Sequence, residues 1–133
     1  MKGGTLGRKS RERLASADSR LNLIVSEAVT IMDLTVLEAH RPEKRQNELL
    51  REGATQVAWP DSKHNTLPSK AVDVAPWPID WNDLERFVLL AGVMFAVAAR
   101  YGVKLRWGGD WDRDTQTTDE RFRDYVHFEI WED

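Results

Sequence analysis

Two stretches decide how this chain is read: Ser62-Lys63-His64-Asn65-Thr66-Leu67-Pro68-Ser69-Lys70-Ala71-Val72-Asp73 and, near the C-terminus, Asp124-Tyr125-Val126-His127-Phe128-Glu129. Brought together, they offer two imidazoles, a carboxylate shortly after the first, and another carboxylate just before the second. A catalytic zinc asks for that set: three N/O protein ligands, an open fourth position, and a nearby base. His64, Asp73 and His127 read as ligands and Asp124 as the base.

Strand alternation constrains these assignments. Ala71 to Ala75 reads as a short strand ending at Pro76, with Val72 and Val74 facing one way and Asp73 the other, between two small alanines. In the last strand, expected over roughly 125–131, Val126, Phe128 and Ile130 face the core while His127 and Glu129 face the site. Asp124 lies three residues before His127, so a regular strand turns it away. It reaches the site only through a bulge or an irregular strand entry. Alternation alone favours Glu129 as the base, and both carboxylates stay open.

Working outward, residues 1–9 read as a mobile tail and 10–133 as a single domain. A helix capped by Asp18 carries Leu21, Ile24, Val25, Ala28, Ile31 and Met32. A strand follows at about 34–39, then Pro42 opens a helix over Glu43 to Arg51, with Gly53 past its end. Arg41 sits at that strand-to-helix junction, where a guanidinium can grip a substrate carboxylate or carbonyl by two hydrogen bonds. A solvated surface arginine is the plainer alternative. Its neighbour His40 has no metal-like spacing around it. Residues 54–70 form a long loop that contains His64. Asn82 and Glu85 suggest a capping box for the longest helix, which ends at Gly102. Its expected buried stripe is Leu84, Phe87, Val88, Ala91, Met94, Phe95, Ala98 and Tyr101. A strand at 103–107, a sharp turn at 108–112 and a polar loop to about Arg121 complete the chain before the last strand. The fold class is α+β: a small antiparallel sheet with the site on one face and helices packed on the other.

Composition narrows the chemistry. The chain has 133 residues, 41% of them hydrophobic and 31% charged, which suits one globular core. A net charge of −3 gives no pull towards nucleic acid or an anionic membrane. With no cysteine, disulfides, thiolate zinc sites and thiol catalysis are excluded, so a metal must be held by carboxylates and the three histidines. No stretch is apolar for long enough to cross a bilayer, and the basic start is not followed by the apolar segment of a secretory signal. The expectation is a monomer made and kept in the cytoplasm unless a separate factor lets it out.

The motifs Ser62-Lys63-His64, Ala71-Val72-Asp73 and Asp124-Tyr125-Val126-His127 resemble those of the zinc peptidases that include D-alanyl-D-alanine carboxypeptidases, vancomycin-resistance D,D-dipeptidases and the L-alanyl-D-glutamate endopeptidases used as phage endolysins; the hedgehog signalling domain shares their fold. The segments Ile79-Asp80-Trp81-Asn82-Asp83-Leu84-Glu85 and Leu105-Arg106-Trp107-Gly108-Gly109-Asp110-Trp111 look like the endolysin branch. The resemblance implies Zn²⁺ on His64, Asp73 and His127, Asp124 as catalytic base, and Arg41 stabilising the substrate near the metal. It implies hydrolysis of a peptidoglycan stem peptide, most readily the L-alanyl-D-glutamate bond, during host lysis. Ser62 and Glu129 are candidates for orienting the ligands. The chain departs from the family in the His64–Asp73 spacing, which is two residues longer and has Pro68-Ser69 where a glycine would stand. Alternatives are a D-alanyl-D-alanine carboxypeptidase or dipeptidase, and a silent zinc-binding interaction domain.

Overall fold

A computed structural model describes residues 1–116 and 123–132 of the chain. The part of the expected polar loop between 117 and 122 lies outside the described residues. Helices α1 (Arg8–Leu14) and α2 (Ser19–Ile31) lead into strand β1 (Leu34–Glu38) and helix α3 (Glu43–Arg51). Strand β2 (Ala71–Pro76), helix α4 (Leu84–Arg100) and strands β3 (Leu105–Gly108) and β4 (Asp124–Ile130) follow. The sheet order is β1-β2-β4-β3, antiparallel throughout. This is the expected α+β arrangement.

The local causes are legible. Asp18 caps α2 by accepting from the Arg20 amide at 2.9 Å. Leu21, Ile24, Val25 and Ala28 then fall on one buried face. Gly53 and Gly102 follow α3 and α4 with φ of 76° and 67°, a conformation that glycine adopts without steric cost. The first nine residues, expected as a tail, enter α1 at Arg8. Backbone hydrogen bonds from Gly4 N to Val29 O and from Asp33 N to Lys2 O tie this segment to the end of α2.

Helix α4 departs from expectation in two respects. The capping box does not form: Asp83 stands at the N-cap without a side-chain cap bond, and Asp80 instead accepts from the Asn82 amide. The buried face is also rotated. Leu90, Val93 and Val97 are buried alongside Phe87, Ala91, Met94 and Ala98, whereas Leu84, Val88, Phe95 and Tyr101 are exposed. From Phe87 to Ala99 the helix has no polar residue. Periodicity therefore has no polar side from which to place the buried one, and packing on α2 and the sheet decides.

The core lies between these helices and one face of the sheet, where Val36, Val72, Val74, Phe128 and Ile130 are fully or almost fully buried. The opposite side chains of β2 and β4 build the site.

Candidate metal centre

Asp73 and His127 are direct partners across β2 and β4, so their side chains rise side by side from the same face. His64 comes to them from the loop before β2, which is tightly held. The Arg41 amide donates to the His64 carbonyl at 2.7 Å, and the Lys70 amide to the Lys63 carbonyl at 2.8 Å. Asn65 donates to the Arg41 carbonyl and to Gln46 Oε1.

His64 Nε2, His127 Nδ1 and Asp73 Oδ1 form a small triangle, with sides of 3.2 Å between the imidazoles and 3.1 and 3.3 Å to the carboxylate. Tetrahedral zinc with bonds of about 2.0–2.1 Å sets its ligand atoms about 3.3 Å apart, so the three atoms already have the required spacing. The outer ring nitrogens explain their orientation. His64 Nδ1 lies 2.6 Å from the Ala39 carbonyl, an acceptor only, so it carries the proton and Nε2 presents a lone pair. His127 Nε2 donates to Glu129 Oε1 at 2.9 Å, which leaves Nδ1 to face the triangle. Three acceptors aimed at one point need a cation between them, and the residues fit a metal held by nitrogen and oxygen. All three residues are buried, and the group can hold a metal ion.

Electrostatics give the same reading. Burial acts to lower His127, but the Asp73 and Glu129 carboxylates outweigh it and hold its pKa raised to about 9. Burial alone would raise Asp73, but the two imidazoles hold it below the ordinary carboxylate range. Without a metal, the site keeps a proton where the positive charge is needed.

Asp124 lines the same cavity of about 580 Å³ as His64 and His127. It does so because the β3–β4 ladder slips: Trp107 pairs with Phe128, but the next residue, Gly108, pairs with Asp124. The Trp107 indole spans this irregularity and donates to the Tyr125 carbonyl at 2.8 Å. Burial, followed by the nearby Asp73 charge, raises the Asp124 pKa. Glu129 differs in character. Its Oε1 is taken by His127, and its Oε2 receives Arg106 at 2.9 Å and Lys63 at 3.3 Å. Burial opposes ionisation of Glu129, but these partners lower its pKa to about 2.

Arg41 is buried, not surface-solvated. It donates to Glu38 Oε1 from Nε at 2.8 Å and to Gln46 from Nη1 at 3.0 Å, with Nη2 3.5 Å from Asp73 Oδ2. Ser62 does not touch the imidazole: its hydroxyl accepts from the His64 amide at 3.2 Å and shapes the turn that presents the ring. His40 stands apart, with Nδ1 against the Thr66 carbonyl. Sequence reasoning missed Ala39, whose contribution is a backbone carbonyl and which leaves no trace in residue type. It also missed Gln46, Arg106 and Trp111. Trp111 packs on His127 with ring centres 5.2 Å apart. A second carboxylate group, Asp110, Asp112 and Asp114, also has the spacing to hold a metal ion, on an exposed turn.

A family model described as phage L-alanyl-D-glutamate peptidase matches residues 3–131. The L-alanyl-D-glutamate peptidase of Escherichia phage T5 is 29% identical over 119 residues, 86% of either chain. The crystal structure of the Serratia marcescens L-Ala D-Glu endopeptidase ChiX superposes with a TM-score of 0.75 at 26% identity, covering 93% of this chain and 87% of that one.

Proposed function

The chain belongs to the phage L-alanyl-D-glutamate peptidase family, and on that premise we propose that it hydrolyses the L-alanyl-D-glutamate bond of peptidoglycan stem peptides, with Zn²⁺ held by His64, Asp73 and His127. The observation that carries this reading is the triangle of acceptor atoms, 3.1–3.3 Å on a side, two of them on histidines that line the cavity. A zinc ion held by these three residues would supply Lewis acidity to the scissile carbonyl and to a water molecule.

Asp124 takes the proton of that water and returns it to the leaving amine. Its raised pKa suits a group that must both accept and donate. Glu129 is a poor base because both its oxygens are engaged and it is strongly acidic. Its work is to hold the His127 ring and proton in place. Arg41 fixes the outer oxygen of Asp73 and, from the cavity wall, stabilises the oxyanion. A silent zinc-binding domain would have no use for a carboxylate of raised pKa lining the cavity at position 124.

The protein acts at the cell wall as a monomeric phage endolysin during host lysis, reaching the periplasm through a separate membrane-permeabilising factor. No helix among the described residues is long and apolar enough to cross a membrane. Metal analysis tests the ligand set: about one zinc per chain is expected in the parent and none in His64→Ala or His127→Ala. Full occupancy in either variant would refute the assignment.

A further inference from the structure

One wall of the cavity carries charge that the hydrolytic chemistry does not use. Arg106 and Lys63 both line the cavity, and both turn to the single carboxylate of Glu129. Two cations thus share one carboxylate, and the cavity's other carboxylates, Asp61 and Asp124, form no ion pair with either among the described residues. Arg106 is also held in a fixed plane. Its guanidinium carbon lies 4.7 Å from the centre of the Trp131 ring and 5.4 Å from that of Trp111. Trp111 in turn packs at a tilt against His127, ring centres 5.2 Å apart, so one indole lies between Arg106 and that imidazole. Arg106 Nε is buried and has no hydrogen-bond partner among the described residues. A buried, unpaired guanidinium donor is costly, so Glu129 alone does not satisfy Arg106. The third cavity cation, Arg41, is paired with Glu38 and Gln46 and already has a place in the hydrolytic reading, at the oxyanion.

We propose that Arg106, with Lys63 beside it, forms a carboxylate subsite that selects substrates with an anionic group on the leaving side of the scissile bond. This rests on the peptidase reading and extends it. In an L-alanyl-D-glutamate bond the alanine carboxyl is consumed as the scissile carbonyl. Glutamate keeps two carboxyl groups, one continuing the stem and the other free or amidated. Negative charge can therefore lie only beyond the scissile nitrogen, on the glutamyl residue or on a residue following it. A planar, pre-oriented guanidinium suits a carboxylate through paired hydrogen bonds, and the ammonium of Lys63 adds charge without directional demand.

The test uses three N-acetyl-L-alanyl-γ-D-glutamyl-L-lysine peptides: one with both carboxylates free, one with the glutamyl carboxylate amidated, and one with the lysyl carboxylate amidated. With zinc-loaded parent, amidation of the recognised carboxylate should lower kcat/KM by about tenfold or more, chiefly through KM. The peptide that suffers identifies which carboxylate is bound. Arg106→Gln should abolish that preference while keeping its zinc, and Arg106→Lys should restore part of it. Equal rates on all three peptides with the parent would overturn the subsite. So would an Arg106→Gln variant that slows all three equally, because that marks Arg106 as only a support for Glu129. If the parent cleaves none of them, the peptidase reading fails, and the subsite with it.

Discussion

Gly108 lies directly against the backbone of Asp124: a Cβ at position 108 would overlap the Asp124 carbonyl. The contact sits where the β3–β4 register slips, and it sets the point from which the Asp124 side chain enters the cavity. Gly108→Ala must push one strand from the other. Overpacking of this kind costs about 1–3 kcal/mol, and a shift of about 1 Å at a catalytic group can cost about a hundredfold in rate. The expected outcome is a folded, zinc-loaded protein of somewhat lower Tm with kcat reduced at least about tenfold. Unchanged kcat would mean that the slip does not position Asp124.

The two carboxylates flanking His127 should separate by function. Asp124→Asn keeps the shape and the zinc but removes proton transfer, so kcat should fall by roughly 10²–10⁴. Glu129→Gln loosens the His127 ring and should cost about 10–100-fold, expressed partly as weaker zinc affinity. Measuring zinc content beside rate for both variants checks this. An active Asp124→Asn together with a zinc-loaded, inactive Glu129→Gln would exchange the two roles.

The metal-free protein should have a distinctive dependence on pH. His127 is raised in the fold from 6.5 to about 9. Its contribution to stability is therefore complete below about 6.5 and is lost as pH rises through about 9. Glu129 is lowered from 4.5 to about 2, so its contribution is present above about 4.5 and lost as pH falls towards 2. Urea unfolding of metal-free protein should show lower stability at pH 9.5 than at pH 6, a difference that shrinks in Glu129→Gln. Zinc competes with the same proton, so its affinity should climb between about pH 6.5 and 9, above the range set by an ordinary imidazole. Flat affinity across that window would contradict the charge balance described for the site.

Most of the candidate site was legible because possible metal donors are rare in this sequence. With no cysteine and three histidines, few donor sets exist. Alternation along β4 correctly put Phe128 and Ile130 in the core and His127 and Glu129 on the other face. The position of Asp124 was not legible, because it depends on a slip between β3 and β4 that only the packing of Trp107 and Gly108 creates. The Ala39 carbonyl that orients His64 is equally invisible, since any residue has one. The face of α4 was misread for a different reason: from Phe87 to Ala99 the helix is apolar all round, so only its neighbours choose which side is buried.

The most direct test of the central claim is digestion of purified peptidoglycan by the zinc-loaded protein, with the released fragments identified by mass spectrometry. The account predicts fragments with a new N-terminal D-glutamate, produced by the zinc-loaded parent and absent with His127→Ala. Release of free D-alanine, or no fragments at all from the zinc-loaded parent, would contradict it.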